Sequence, residues 1–72
     1  MNVRIKKFVR VTTMKYSYEL SERYSIDEIF NKVIDANDHM MLKLYNVKNE
    51  PIYIRASKIE SIEVIAEQYA VI

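Results

Sequence analysis

Residues 24–57, YSIDEIFNKVIDANDHMMLKLYNVKNEPIYIRAS, decide the fold, because their hydrophobic spacing changes from a helical to a strand period within a few positions. Ile26, Ile29, Phe30, Val33 and Ile34 recur at i, i+3, i+4, i+7 and i+8, which gathers them into one apolar stripe and predicts a helix over residues 26–36. Its start is marked three times. Ser25 can cap it, Glu28 completes a capping box, and Tyr24 is placed to staple against Ile29. Glu28 and Lys32 stand one turn apart on the outer side. Asn37 suits a left-handed terminal residue, so the helix is expected to end near Asn37 and Asp38.

From Met40 the period is two. Met40, Leu42 and Leu44 alternate with Met41, Lys43 and Tyr45, and Ile52, Ile54 and Ala56 alternate with Tyr53, Arg55 and Ser57. A loop of Val47, Lys48 and Asn49 would pair Leu44 with Ile52 and Leu42 with Ile54, with Asn49 in the left-handed position such a loop favours. Pro51 then opens the second strand, where a missing N–H is tolerable on an edge. The outer face of this hairpin would carry Met41, Lys43, Tyr45, Tyr53 and Arg55.

Outward from this centre the reading is less constrained. After Ser57, the residues Ile59, Ile62, Ala66 and Tyr69 fit a helix capped by Ser57 and Glu60, while Ile62, Val64 and Ala66 alternate as a β-branched strand. We favour a turn at 57–60 and a strand over 61–66, with 69–72 either fraying or docking. On the N-terminal side, Val3, Ile5, Val9 and Val11 occupy odd positions, but Tyr16, Tyr18 and Leu20 occupy even ones. One regular strand cannot change face, so either a bulge bends it or an irregular turn near 12–15 divides it. A tight hairpin turn is the weaker expectation, since residues 3–15 contain no Gly, Asn, Asp or Pro. The expected fold is α+β: a single small domain over residues 1–72, with a twisted antiparallel sheet of three to five strands packed against one helix.

Composition restricts function. With no glycine and no cysteine in 72 residues, phosphate-cradling glycine loops, thiolate metal sites, disulfides and cysteine nucleophiles are excluded. Half the residues are hydrophobic at a net charge of +1, which is too apolar for a disordered chain. A chain of this length buries only about 60% of its unfolded surface, so packing or oligomerisation must supplement a small core. No apolar run approaches the ~20 residues of a membrane span, and residues 1–10 alternate charge with apolar side chains, unlike a signal peptide; the expected location is cytoplasmic.

Three constellations compete with ordinary structural roles. Asp35, Asp38 and the single histidine, His39, cluster after the helix, but the same residue types serve turns by bonding the backbone, so no metal site, cofactor or catalytic residue is assigned and the chain is expected not to be an enzyme. Arg4, Lys6, Phe8 and Arg10 share one face of the first strand, flanked by Lys7 and Lys15. Cations around an aromatic suit phosphates and stacked bases, yet basic residues also protect edge strands from unwanted pairing. Met41, Tyr45, Tyr53 and Arg55 form the best candidate protein interface, since aromatics, methionine and arginine are enriched at interface centres. The alternative there is that another element covers them as core.

Residues 40–65, MMLKLYNVKNEPIYIRASKIESIEVI, look like the C-terminal half of small uncharacterised proteins of Gram-positive bacteria and their phages, a layout also similar to the flagellar FlbD-like proteins. The likeness is one of hydrophobic pattern, covers about a third of the chain and carries over no functional residue. The hairpin also lacks the glycine usual there. It implies a phage or mobile-element accessory protein. The combined expectation is a non-enzymatic protein-binding or regulatory module acting as a homodimer on a protein partner, with a nucleic-acid-binding accessory protein as the alternative.

Overall fold

The computed structural model describes residues 2–71. The elements follow in the order β1 (Asn2–Thr13), β2 (Ser17–Glu19), α1 (Ile26–Asp35), β3 (Met41–Tyr45), β4 (Pro51–Arg55) and β5 (Ile59–Val71), with a short 3-10 turn, Ala56–Lys58, before the last strand. The fold is therefore α+β. Its strands make two antiparallel sheets rather than one, β2-β1-β5 and β3-β4. Main-chain bonds join them: the Ser21 N–H donates to the Tyr45 carbonyl at 2.9 Å, and the Val47 N–H donates to the Glu19 carbonyl at 3.1 Å.

The change of face near the N-terminus is a hairpin, the option the residue types disfavoured. In β1 and β2, Arg10 faces Glu19, Val11 faces Tyr18 and Thr12 faces Ser17, so an odd residue always meets an even one. That register is what puts Val11 and Tyr18 on one side despite opposite parity. The turn is closed by a side chain instead of a glycine. The Thr13 hydroxyl accepts from the Tyr16 N–H at 3.1 Å and donates to the Tyr16 carbonyl at 3.3 Å, while the Thr13 N–H donates to the same carbonyl at 2.8 Å.

The second hairpin has the expected register, with Leu42 facing Ile54 and Leu44 facing Ile52. Asn49 is the one positive-φ residue among those described, at 62°. Asn46 organises the loop: its Oδ1 accepts from the N–H groups of Lys48 and Glu50, both at 2.9 Å. Beyond Ser57 the chain is a strand and not a helix, extending to Val71 where an end at 66 was expected. It pairs with β1 from Asn2↔Val71 to Thr12↔Ser61, and a register shift then sets Thr13 opposite Ile59. The backbone of Tyr69–Val71 docks on β1, and Ile72 lies outside the described residues.

Val9 and Val11, Leu20, Ile29 of α1, Leu42 and Leu44 of β3, and Ile54 of β4 form the core. The helix starts as expected, with the Glu28 N–H donating to Ser25 Oγ at 3.1 Å. Tyr24 packs beside the core, and its hydroxyl accepts from the Tyr45 N–H at 3.0 Å. Its stripe is narrower than the sequence predicts. Ile29 is fully buried and Ile26 and Val33 pack beside the core, whereas Phe30 is 52% and Ile34 60% exposed. Each lies about 100° around the helix from its buried neighbour, and a ten-residue helix resting on one line of contact leaves that flank open. The helix also ends earlier. Ala36 is already extended, and the turn that follows is closed by the Met40 N–H donating to the Asn37 carbonyl at 2.9 Å, with no left-handed residue at Asn37.

The molecule is elongated, 48 × 21 × 20 Å, and β1 with β5 supplies the length. One end of this ribbon is embedded in the core. The other projects.

Candidate functional site

Three surfaces could meet a partner, and they derive from different elements. The first is the projecting end of the β1–β5 ribbon. Alternation puts Val3, Ile5 and Lys7 of β1 on the same side as Val64, Ala66 and Gln68 of β5, a side that is buried further along at Val9 and Val11. Here it is bare: Val3 is 61% and Ile5 58% exposed, and the exposure reaches as far as Val64, the 48% exposed partner of buried Val9. On the reverse side Lys6 lies opposite Glu67 and Arg10 opposite Glu63.

That reverse side is the basic face singled out from the sequence. Arg4 is exposed, but Lys6 Nζ sits 3.6 Å from Glu22 Oε1, and Arg10 donates to Glu19 Oε1 at 3.5 Å. Phe8 is only 2% exposed, with the Lys6 ammonium 6.0 Å from its ring centroid. The side chain expected to offer a stacking surface is thus interior. The missed signal was the cross-strand partner Ile65, which makes Phe8 half of an apolar pair.

The second surface is the outer face of the β3–β4 hairpin. No other element covers it: Met41 and Tyr53 are 50% and 59% exposed, and Arg55 is exposed beside Met41 as its cross-strand partner. Tyr45 is set apart from the other three. It is half-buried, with the Arg23 guanidinium 4.4 Å and the Lys43 ammonium 5.7 Å from its ring centroid. Arg23 also stands 5.4 Å from the Tyr24 ring, so this cation is clasped between two tyrosines.

The third surface was not visible in the sequence. Tyr53 and Arg55, though exposed, also line a groove of about 330 Å³ together with Lys15, Tyr16 and Tyr18 around the β1–β2 turn and Lys58 of the 3-10 turn. The Tyr16 and Tyr18 ring centroids are 6.1 Å apart at 48°. Its polar lining is cationic and phenolic, with no carboxylate. Only the hairpin at Thr13–Tyr16 brings these residues to Tyr53, and that hairpin is the element the residue types argued against.

Asp35, Asp38 and His39 are exposed, and among the described residues no three His, Cys, Asp or Glu side chains gather as they would around a metal ion. No helix among those residues is long and apolar enough to cross a membrane. No family model matches the chain, and no curated protein and no solved structure matches it either.

Proposed function

We propose that this chain is a non-enzymatic binding module that assembles as a homodimer through the projecting end of the β1–β5 ribbon and docks on a protein partner. The observation that carries the reading is the exposure of Val3 and Ile5 at the projecting end, on the same side of the ribbon whose inner half builds the core. A two-stranded ribbon is marginal in water on its own, and a bare apolar side invites cover. A second copy supplies that cover with one self-complementary patch, the commonest way small chains associate. The ribbons would stack side on side, not join edge to edge. Strand β5 carries Glu60, Glu63 and Glu67 with no cation, so pairing two copies of that edge sets carboxylates against carboxylates. The exposed methionines Met40 and Met41 suit the protein partner, since methionine adapts to varied surfaces. Such a module fits the accessory role that the likeness of residues 40–65 implies.

Light scattering across a micromolar to near-millimolar series tests the assembly. The expected mass is twice that of the monomer, with a melting temperature that rises with concentration because mass action favours the associated state. A Val3→Glu, Ile5→Glu variant should be monomeric with an unchanged helical signal. A monomer at every concentration, with a constant melting temperature, overturns the dimer.

A further inference from the structure

We propose that the groove between the β1–β2 turn and β4 binds single-stranded nucleic acid, with bases stacked on Tyr16, Tyr18 and Tyr53 and the adjoining phosphates held by Lys15, Arg55 and Lys58. Two exposed rings, Tyr16 at 62% and Tyr53 at 59%, line the same space as three cations. Stacking platforms beside a basic track are what single strands require, and they serve any base because every base has a flat face. A duplex keeps its bases stacked inside and cannot use the rings.

Charge is distributed in a way that supports this occupant. The chain is nearly neutral, with 11 Lys and Arg against 10 Asp and Glu. On the β1 face Lys6 is engaged by Glu22 and Arg10 by Glu19, leaving Arg4 exposed, and among the described residues Lys15, Arg55 and Lys58 of the groove make no ion pair. The groove therefore gathers three unpaired cations into one lining that holds no carboxylate. An acidic peptide would use those cations and leave the rings idle, and a proline-rich peptide would use the rings and leave the cations unpaired. A single strand uses both. A volume of about 330 Å³ stands at the lower end of the ligand-pocket range, near ~300 Å³, and suits one nucleotide with its neighbours running along the open sides. The site is independent of the dimer. Ile5 and Thr13 are eight residues apart along one strand, roughly 27 Å, so the groove stays open when the projecting end is covered.

Fluorescence polarisation with labelled oligo(U) and oligo(dT), read over a salt series, tests the proposal. Single-strand binding loses about 0.7 in log–log slope per phosphate contact removed, so a Lys15→Gln, Arg55→Gln, Lys58→Gln variant should flatten the slope by about 2. A Tyr16→Leu, Tyr53→Leu variant should bind at least about tenfold more weakly at every salt concentration with the slope unchanged, which separates stacking from charge. Lys6→Gln with Arg10→Gln should alter neither. Circular dichroism of each variant should overlay the parent, as all the groove positions substituted are exposed. No binding at low salt overturns the site, as does equal competition by polyglutamate or by a matched duplex, since either would mean that the rings take no part. The monomeric Val3→Glu, Ile5→Glu variant should still bind, so failure of the dimer and failure of the groove are read apart.

Discussion

The two ends of β1 are built from the same residue types in the same alternation, yet Val9 and Val11 are buried to 2% and 0% exposure while Val3 and Ile5 remain 61% and 58% exposed. Local sequence cannot distinguish them. What differs is the layer above: Leu20, Ile29 and the inner side of the β3–β4 hairpin cover the second half of the strand, and none of the described elements covers the first. Strand β5 pairs with β1 over its whole length, so the projecting end keeps its inner ladder of main-chain bonds even where its side chains have no cover. Pairing thus outruns packing along one ladder, and the excess leaves Val3 and Ile5 bare.

The sharpest way to break this comparison is to delete volume at each end. Leu44, fully buried on β3, should cost roughly 2–5 kcal/mol when changed to Ala, a large part of the stability of so small a domain. Ile5→Ala, measured by urea denaturation at concentrations where the protein is monomeric, should stay within about 0.5 kcal/mol. Equal costs would mean that the projecting end folds back on the body and that the core is not where it is drawn.

The same contrast recurs on the helix with a smaller gap. Ile29 is fully buried and Phe30, its neighbour, is half exposed. Ile29→Ala should cost about 2–5 kcal/mol, whereas Phe30→Ala should cost under about 1 kcal/mol despite removing the larger side chain. Thermal melts of the two variants decide it.

How much of this was legible depended on whether the deciding force was local. The helix start at Ser25, the register of Leu42 with Ile54 and the left-handed Asn49 all follow from caps, periods and turn chemistry that act within a few residues. The misjudgements share a different cause. Phe30 and Ile34 belong to the apolar stripe but not to its contact line, Phe8 is interior opposite a partner 57 positions away, and the β1–β2 turn closes through a threonine hydroxyl, a weaker turn signal than Gly, Asn, Asp or Pro. The groove required that turn. Of the four interface residues, Tyr53 and Arg55 line the groove and Met41 is exposed, while the place of Tyr45 was decided by Arg23, a cation from a loop with no periodic signal.

The two hairpin turns give the finest comparison, since both reverse the chain without glycine. At Thr13–Tyr16 a hydroxyl closes the turn with no residue at positive φ; at 46–50 the Asn46 amide closes the loop and Asn49 bears a φ of 62°. Only the second turn should therefore gain from glycine, which takes up a positive φ without the steric cost imposed by a Cβ. Asn49→Gly should shift stability by no more than a few tenths of a kcal/mol, because asparagine already tolerates that region, whereas Asn49→Val should lose about 1–2 kcal/mol. Removing the Asn46 amide with Ala should cost about 1 kcal/mol, because the N–H groups of Lys48 and Glu50 lose their acceptor. If Val at position 49 melts with the parent, the loop holds no left-handed residue, and the pairing of Leu44 with Ile52 must be fixed by core packing alone.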